Sequence, residues 1–327
     1  MLSLPSAPWQ KILRGNFTRL NTLLEFLELD SSTIARLAVR KEFPLNLPRR
    51  LAEKIQKNTL EDPIFKQFVP LADEFVAAEN FVLEPLSEGG CKVGKKLLHK
   101  YQGRVLLVCT SACAMHCRYC FRQNFDYQVQ DKGFEQELAY IAEDTTLREV
   151  ILSGGDPLAL TNERLSEILK AVDAIPHITR IRFHTRFPIG IPERIDEGLI
   201  ALLTGLSKKV WLVVHVNHPL ELDQDVLAHL KKLSDKGVML LNQSVLLKGV
   251  NADVEVLEAL CNKLVDNNIL PYYIHQLDRV KGASHFEVDL EEGKALMRSL
   301  QKRVSGYALP RYAQEIPGFA SKVIIPF

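Results

Sequence analysis

Residues 104–120 read RVLLVCTSACAMHCRYC, an apolar run followed within a few positions by three cysteines. The run Arg104–Val108 predicts a buried strand, because short segments rich in valine and leucine suit a parallel sheet. Cys113, Cys117 and Cys120 would then lie on the loop after that strand. Folds of parallel strands and helices collect their chemistry at the carboxyl ends of the strands, so we expect a metal site on this loop.

The cysteine spacing, Cys-x3-Cys-x2-Cys, favours an iron–sulfur cluster in which one iron has no local cysteine ligand. Two other interpretations stay open: three unrelated buried cysteines, or a structural zinc site with Cys109 as fourth ligand, His116 being sterically awkward. Six cysteines in 327 residues are too few for a disulfide scaffold, which indicates a reducing compartment. Cys91, Cys109 and Cys261 lack the spacing, and we expect them to be packing residues.

From residue 104 onwards, short β-branched runs alternate with amphipathic stretches, and this alternation predicts βα units in series. The six predicted strands are Arg104–Val108, Glu149–Leu152, Arg180–Phe183, Val210–Val214, Met239–Ser244 and Tyr272–Leu277. The six predicted helices lie near Phe134–Asp144, Glu163–Ala174, Glu193–Leu203, Asp225–Lys236, Val254–Asn267 and Leu290–Arg303. Six units are fewer than the eight that close a full barrel, so the pattern predicts an α/β fold, a partial (βα)6 TIM-like barrel.

The region before the barrel is expected to be a helical cap. Thr18–Leu29 and Arg49–Lys57 carry apolar residues at helical spacing, and prolines break the segments between them. We therefore divide the chain into an N-terminal cap at residues 1–97, the barrel at 98–304 and a C-terminal segment at 305–327, all within one main domain.

The charge balance limits the classes of partner. Lysine and arginine number 41 against 40 aspartates and glutamates, which indicates neither a nucleic-acid binder nor a polybasic membrane anchor. Pro5, Pro8 and Gln10 interrupt the apolar start of the chain, and no later apolar run reaches the roughly 18 residues of a membrane span. We expect a soluble, cytoplasmic protein that acts on a small molecule, without a nucleic-acid or membrane partner.

A second motif follows the second predicted strand and consists of Ser153, Gly154, Gly155 and Asp156. Glycine lets a ligand approach the backbone closely. Together with the cysteine spacing, this motif resembles the radical S-adenosylmethionine superfamily. The resemblance implies that the cysteines hold a 4Fe–4S cluster and that the glycine-rich stretch meets the methionyl group of S-adenosylmethionine, with Asp156 among the polar contacts around that ligand.

Most of the chain from Leu98 to Lys322 resembles the lysine 2,3-aminomutase family, most closely its shorter bacterial branch that serves translation elongation factor P. The stretches that carry the resemblance are LHKYQGRV at 98–105, CRYCFR at 117–122, SGGDPL at 153–158, HVNHP at 215–219, LNQSVLLK at 241–248, PYYIHQLD at 271–278 and SGYALP at 305–310. The family implies an isomerase that uses pyridoxal 5'-phosphate and moves the amino group of L-lysine from carbon 2 to carbon 3. The product is β-lysine, of the R form in that branch.

The resemblance also implies partners and cofactor contacts. A reductant protein such as flavodoxin or ferredoxin would supply electrons, and a ligase would attach β-lysine to elongation factor P. Lys322 falls where the family links pyridoxal phosphate covalently, although the preceding glycine-rich run is reduced to residues 317–321. Lys100, Tyr101 and Arg104 match the region that meets the cofactor phosphate, with Lys100 in place of a common arginine.

Three further residues match positions at which the family binds its substrate. Arg122 would pair with the α-carboxylate through its planar fork, and Asp278 and Glu315 would hold the distant ammonium. Two carboxylates in one pocket need a cation between them, which a lysine side chain supplies. The family usually has aspartate where this chain has Glu315, so the extra methylene shifts that carboxylate.

Two alternative functions remain at this point. An aminomutase of another cationic amino acid, such as arginine, would also use the two acids. A non-catalytic iron–sulfur electron-transfer protein would need neither them nor Lys322. His215 and His218 follow a predicted strand, and each is either a ligand contact or an ordinary hydrogen-bonding residue.

Overall fold

The computed structural model describes residues 7–127 and 133–327, and one nine-stranded sheet forms its centre. The first six residues of the predicted cap lie outside the described residues. The strands are β1 (Leu97–Tyr101), β2 (Arg104–Thr110), β3 (Glu149–Gly154), β4 (Arg180–Thr185), β5 (Lys209–His215), β6 (Met239–Val245), β7 (Ile269–His275), β8 (Arg311–Gln314) and β9 (Val323–Ile324). The helices are α1 (Pro8–Arg14), α2 (Leu20–Leu27), α3 (Ser31–Ile34), α4 (Arg49–Lys54), α5 (Pro63–Phe68), α6 (Glu135–Glu143), α7 (Asn162–Asp173), α8 (Phe187–Gly190), α9 (Glu197–Thr204), α10 (Gln224–Ser234), α11 (Val254–Val265) and α12 (Leu290–Gln301).

The order of the strands confirms the predicted fold class. Strands β2 to β8 are parallel, their neighbours follow chain order, and β1 and β9 pair antiparallel at the two edges. Because the order never reverses, each right-handed crossover places its helices on the same face, and the sheet curls around the other face. Each strand from β2 to β7 is followed by at least one helix, which gives the six predicted βα units.

The two faces of the curved sheet differ in polarity because successive side chains point to opposite sides of a strand. In β4, Ile181 and Phe183 are fully buried in the core between sheet and helices. The alternate residues Arg180, Arg182 and His184 line a cavity on the inner face. The inner face therefore offers polar groups to a ligand, while the outer face holds the helices.

Local sequence explains where five of the barrel helices begin. Each follows an aspartate or threonine whose side chain accepts a hydrogen bond from a backbone N–H of the first turn, which satisfies a donor that the helix itself leaves unpaired. These residues are Thr161 before α7, Asp196 before α9, Asp223 before α10, Asp253 before α11 and Asp289 before α12. No described helix is long and apolar enough to cross a membrane.

The structure differs from the predicted elements in several places. The predicted helix over Glu193–Leu203 begins only at Glu197, because Pro192–Arg194 forms a separate 3-10 turn. The predicted strand Tyr272–Leu277 is shifted towards the N-terminus, as β7. The strands β1, β8 and β9 were not predicted: β1 and β8 lack a β-branched run, and β9 has only two residues. Strands β8 and β9 belong to the predicted C-terminal segment, so the division at residues 97 and 304 stays a proposal.

Candidate active site

A cavity of about 940 Å³ opens on the inner face of the sheet. Its walls include every site residue predicted from the sequence, namely Lys100, Tyr101, Arg104, Cys113, Cys117, Cys120, Arg122, Ser153, Gly154, Gly155, Asp156, Asp278, Glu315 and Lys322. Lys100 and Tyr101 lie on β1, Arg104 on β2, and Ser153 and Gly154 on β3. The other residues lie on the segments that follow β2, β3, β7 and β8, and Lys322 directly precedes β9. The fold therefore brings together groups that are more than 200 positions apart, such as Lys100 and Glu315.

Cys113, Cys117 and Cys120 lie on the loop after β2, as predicted. Burial, followed by the neighbouring Cys117 thiol, raises the pKa of Cys120 to about 12. Burial and then the charges of Asp156 and the other two thiols raise the pKa of Cys113. Thiols that oppose one another's ionisation become thiolates when a cation binds them, so this donor set fits an iron–sulfur cluster.

The zinc interpretation is not supported by the surroundings of the two candidate fourth ligands. Cys109 is buried in the core, and its thiol donates to the carbonyl of Leu107 at 3.5 Å. His116 Nδ1 contacts the carbonyl of Pro44 at 2.8 Å. Within the part of the chain that the structure describes, no three His, Cys, Asp or Glu side chains are grouped as a site for a single metal ion.

The N-terminal cap holds the cysteine loop through hydrogen bonds to its backbone. Asn46 Nδ2 donates to the carbonyl of Cys113 at 3.1 Å, and Asn16 Nδ2 donates to that of Ala114 at 2.7 Å. The backbone N–H of His116 donates in turn to the carbonyl of Asn46 at 3.0 Å. These bonds fix the path of the loop, because backbone groups that are paired in this way resist displacement.

A buried ion pair adds to this attachment. The Arg118 guanidinium donates to both oxygens of Glu74, from Nε at 2.7 Å and from Nη2 at 2.5 Å, and both side chains are fully buried. Arg118 Nη1 also donates to the carbonyl of Phe43 at 2.8 Å. Removal of one partner of a buried pair typically costs about 3–5 kcal/mol, so the cap is a structural requirement for the cysteine loop.

The two glycines at the carboxyl end of β3 are required by the packing of the chain itself. Gly154 has a φ of +118°, and a Cβ atom on Gly155 would lie 2.4 Å from the carbonyl oxygen of Ala112 and 2.6 Å from the carbonyl carbon of Ser111. Hydrogen bonds join the same two segments, from Gly155 N to the Thr110 carbonyl at 2.7 Å. The glycines thus permit the close approach of the cysteine loop, and the predicted contact with S-adenosylmethionine stays a prediction.

Gly155→Ala should therefore loosen the cysteine loop. Overpacking against backbone atoms typically costs about 1–3 kcal/mol, and we expect a lower melting temperature together with reduced iron content after reconstitution. Gly306→Ala is the matched control, because a Cβ atom on Gly306 meets nothing within 4 Å. A Gly155→Ala protein with full iron content and an unchanged melting temperature would contradict this role.

The Asp156 carboxylate accepts hydrogen bonds from the chain itself. Its Oδ1 accepts from Thr185 Oγ1 at 2.7 Å and from Leu158 N at 3.0 Å, and its Oδ2 accepts from the backbone N–H groups of Arg186 and Phe187 at 2.7 and 3.0 Å. Burial raises its pKa to about 6 despite these donors. Because both oxygens are engaged, Asp156 joins the end of β3 to the end of β4. Asp156 also lines the cavity, so its expected contact with S-adenosylmethionine stays a prediction.

Lys322 and the predicted phosphate contacts meet at Glu315. Lys322 Nζ pairs with Glu315 Oε2, Lys100 Nζ donates to Glu315 Oε1 at 2.8 Å, and the Tyr101 hydroxyl donates to the same oxygen. The Arg104 guanidinium lies 4.6 Å from the centre of the Tyr101 ring. The three predicted phosphate contacts and the predicted lysine therefore form one group where the two edge strands of the curved sheet, β1 and β9, approach each other.

The two predicted ammonium contacts differ in their surroundings. Burial would raise the pKa of Glu315, but the Lys322, Lys100 and Tyr101 groups lower it to about 2. Asp278 follows β7, and among the described residues none donates a hydrogen bond to its carboxylate. Burial raises the pKa of Asp278 to about 7, although Lys322 partly offsets the shift. The charge of Glu315 is thus balanced by groups of the protein, while that of Asp278 is not, and their predicted contact with a substrate ammonium stays a prediction.

The guanidinium of Arg122 is already paired. Its Nε and Nη2 donate to the two oxygens of Glu88 at 2.8 and 2.7 Å, and its Nη1 donates to Ser153 Oγ at 3.2 Å. The fork that we expected to bind a substrate carboxylate is therefore occupied by Glu88, and Nη1 is the group left for a ligand. Glu88 was not predicted, because no spacing in the sequence relates a 3-10 turn at Glu88–Cys91 to Arg122.

Of the two histidines singled out in the sequence, His215 lies in the cavity and His218 does not. His215 lines the cavity, and its Nε2 lies 3.1 Å from the Tyr119 hydroxyl. His218 lies outside this cavity and accepts a hydrogen bond from the backbone of a 3-10 turn. Two unpredicted histidines also line the cavity, His184 and His275. Burial lowers the pKa of both, to about 3 for His275, so these imidazoles are neutral.

The remaining cysteines were expected to be packing residues. Cys109 and Cys261 are buried in the core as expected. Cys91 differs, because it lies in the wall of the cavity at the end of the turn that carries Glu88. The alternation of polar residues on strands would have found the inner-face histidines, but a turn such as this one leaves no periodic signal.

Comparisons with known proteins agree with this geometry. The model of a family described as a 4Fe-4S single cluster domain matches residues 101–183. The L-lysine 2,3-aminomutase of Haemophilus influenzae is 41% identical over 321 residues, which are 97% of this chain and 95% of that protein. The protein of the same name from Escherichia coli is 41% identical over 319 residues, 96% of this chain and 93% of that protein.

A relative from an archaeon is similar over almost the same length of this chain. The L-lysine 2,3-aminomutase of Methanococcus maripaludis is 36% identical over 96% of this chain and 74% of its own length. Among solved structures, a radical SAM methyltransferase from Sphaerobacter thermophilus matches 66% of this chain and 68% of its own, at 16% identity and a TM-score of 0.40.

Proposed function

This chain belongs to the L-lysine 2,3-aminomutase family, and from that premise we propose that it converts L-lysine to (R)-β-lysine for attachment to translation elongation factor P. Membership makes the chain an isomerase that uses a 4Fe–4S cluster, S-adenosylmethionine and pyridoxal phosphate. The proposal rests on one observation: the three thiols, the Lys322 amine and the Asp278 carboxylate line a single cavity.

The residues present fit the three cofactors. The three cysteines would hold the cluster, Ser153 and the backbone of Gly154 would border S-adenosylmethionine, and Lys322 would bind pyridoxal phosphate with Lys100 near its phosphate. When bound, the cluster and S-adenosylmethionine supply the radical that removes a hydrogen atom, and pyridoxal phosphate supplies the aldehyde that carries the migrating nitrogen. The protein's own part is to orient these groups and to exclude water from the space between them.

The charges of the cavity suit a substrate with an acidic end and a basic end. Arg122 Nη1 presents an N–H donor for the α-carboxylate, and Glu88 keeps the rest of that guanidinium in place. Asp278 presents a carboxylate that lacks a hydrogen-bond donor among the described residues and that gains an ion-pair partner when an ammonium group enters. L-lysine has both groups, and a partly buried carboxylate without a hydrogen-bond donor is the feature that most favours a cationic side chain.

Asp278→Asn should depress catalytic efficiency with lysine. The substitution keeps the shape of the side chain but removes the charge that faces the ammonium, a loss of about 2–5 kcal/mol. Since about 1.4 kcal/mol is a factor of ten, kcat/KM should fall well over tenfold. Asp235→Asn is the matched control, because Asp235 is an exposed surface residue outside the cavity. Turnover of lysine by Asp278→Asn at the parental rate would overturn the assignment.

The same carboxyl predicts a pH dependence. Because the pKa of Asp278 is raised to about 7, its neutral form predominates below that pH, and lysine must then displace a proton to form the ion pair. The KM for lysine should rise as the pH falls below about 7 and should be flat above it. In Asp278→Asn this part of the pH profile should disappear.

The fate of the product belongs to the same proposal. We infer that the enzyme works in the cytoplasm, that a one-electron donor such as flavodoxin or ferredoxin reduces its cluster, and that a ligase transfers the product to elongation factor P. The motifs shared with that bacterial branch support this role. Mass spectrometry of elongation factor P from cells that lack this gene should show loss of the β-lysyl group, and persistence of the group would refute the role.

A further inference from the structure

Arg186 contacts one of the cysteine sulfurs, although nothing in the sequence pointed to it. It directly follows β4, and its Nη1 donates to Cys117 Sγ at 2.9 Å. The residue is only 6% exposed. The backbone at this point is fixed, because Asp156 accepts from the N–H groups of Arg186 and Phe187. The guanidinium is therefore held beside the sulfur by the end of the strand itself.

The rest of the guanidinium is embedded in buried groups. Its Nη2 donates to Gln67 Oε1 and to Glu221 Oε2, each at 2.6 Å, and its Nη1 also contacts the Tyr119 hydroxyl. The guanidinium carbon lies 4.5 Å from the centre of the Phe68 ring. An arginine that donates to a thiolate while its charge is balanced on the far side by a carboxylate forms a fixed polar environment for that ligand.

We propose that Arg186 tunes the reduction potential of the 4Fe–4S cluster by hydrogen bonding to Cys117, and that Glu221 limits the size of this effect. Reduction adds one electron from the donor protein to the cluster, and no bond to carbon forms or breaks in this step. The added negative charge is spread over the cluster and its thiolates. A cationic donor at Cys117 Sγ stabilises that more negative state and so raises the potential, since hydrogen bonds to the sulfurs are among the protein's means of setting it.

Substitutions of Arg186 and Glu221, which form an ion pair, should shift the reduction potential of the cluster in opposite directions. Removing the Arg186 charge leaves Glu221 near the cluster and makes reduction harder. Removing the Glu221 charge leaves Arg186 uncompensated and makes reduction easier. A role limited to packing would give no such difference in sign, so the pair of variants separates electrostatic tuning from structural support.

The test is a redox titration of the reconstituted cluster followed by electron paramagnetic resonance, without lysine or S-adenosylmethionine. Arg186→Gln should reduce the equilibrium constant for one-electron reduction at least about tenfold, which corresponds to about 59 mV. Glu221→Gln should shift the potential in the opposite direction. Arg50→Gln is the matched control, because Arg50 also pairs with carboxylates but lies outside the cavity, and the potential of this variant should equal that of the parent.

Arg186→Lys keeps the positive charge and can be measured instead if Arg186→Gln loses its cluster. The reduction potential of Arg186→Lys should fall less than that of Arg186→Gln. Shifts of the same sign for Arg186→Gln and Glu221→Gln would overturn the proposal. So would a parental potential in an Arg186 variant with a full complement of iron. Because the titration contains no substrate, this result is independent of whether lysine is the substrate.

Discussion

Cys117→Ala is expected to remove the iron–sulfur absorbance or, at the least, all turnover. Loss of one of the three thiolates leaves a second iron without a protein ligand, and the two remaining cysteines hold the cluster weakly. The variant also loses the sulfur that accepts from Arg186. The measurements are the iron content and visible spectrum after anaerobic reconstitution, followed by an assay with lysine. Full activity in this variant would contradict the assignment of Cys117 as a ligand of the iron–sulfur cluster.

Two other cysteines supply controls for that experiment. Cys261→Ala is the same substitution at a buried position in a separate part of the core, so it reports the cost of the lost volume alone. Cys109→Ala tests the zinc alternative, because Cys109 was the candidate fourth ligand. Both variants should retain the parental iron content, and loss of metal from Cys109→Ala alone would favour a four-cysteine site.

The second large effect is expected at Lys322. Lys322→Ala removes the amine that would bind the pyridoxal aldehyde, so the protein should lose its yellow absorbance and all turnover. In the parent, borohydride should fix the link, and peptide mass mapping should place it on Lys322. Lys302→Ala, at an exposed position after α12, should keep both properties.

The outcome at Lys322 also separates the enzyme from an electron-transfer protein. A protein that only carries electrons would need no pyridoxal phosphate, and its cluster would be unaffected by the loss of this lysine. Modification of a lysine other than Lys322 after borohydride treatment would refute the assignment. Lys100→Ala is expected to weaken cofactor binding without abolishing it, because a single positive charge near the phosphate is lost while the amine remains.

The fold could be predicted because its signals are local. Short apolar runs in the strands and amphipathic stretches in the helices follow patterns that a single sequence displays, and the strand–loop order placed the cysteines correctly. Ile181 and Phe183, with their polar neighbours on β4, show how one short strand contains information about both faces of the sheet. Edge strands such as β9, which has two residues, are too short to carry such a pattern.

The partners of the site residues could not be predicted because the fold creates them. Glu88 lies 34 positions from Arg122, and Arg186 lies 69 positions from Cys117, yet each pair is in direct contact. No spacing rule relates positions at such separations. The structural contacts of Asp156 and the adjacent glycines could not be predicted for a related reason, since their closest neighbours are other loops of the same chain.

Chiral analysis of the reaction products tests the central claim most directly. Protein reconstituted with iron, sulfide and pyridoxal phosphate is incubated with L-lysine, S-adenosylmethionine and a one-electron reductant, and the products are separated by enantiomer. We expect (R)-β-lysine, formed only when all components are present, and little product when L-arginine replaces L-lysine. Absence of β-lysine from a preparation with full iron and pyridoxal content, or faster turnover of L-arginine, would contradict the proposed function.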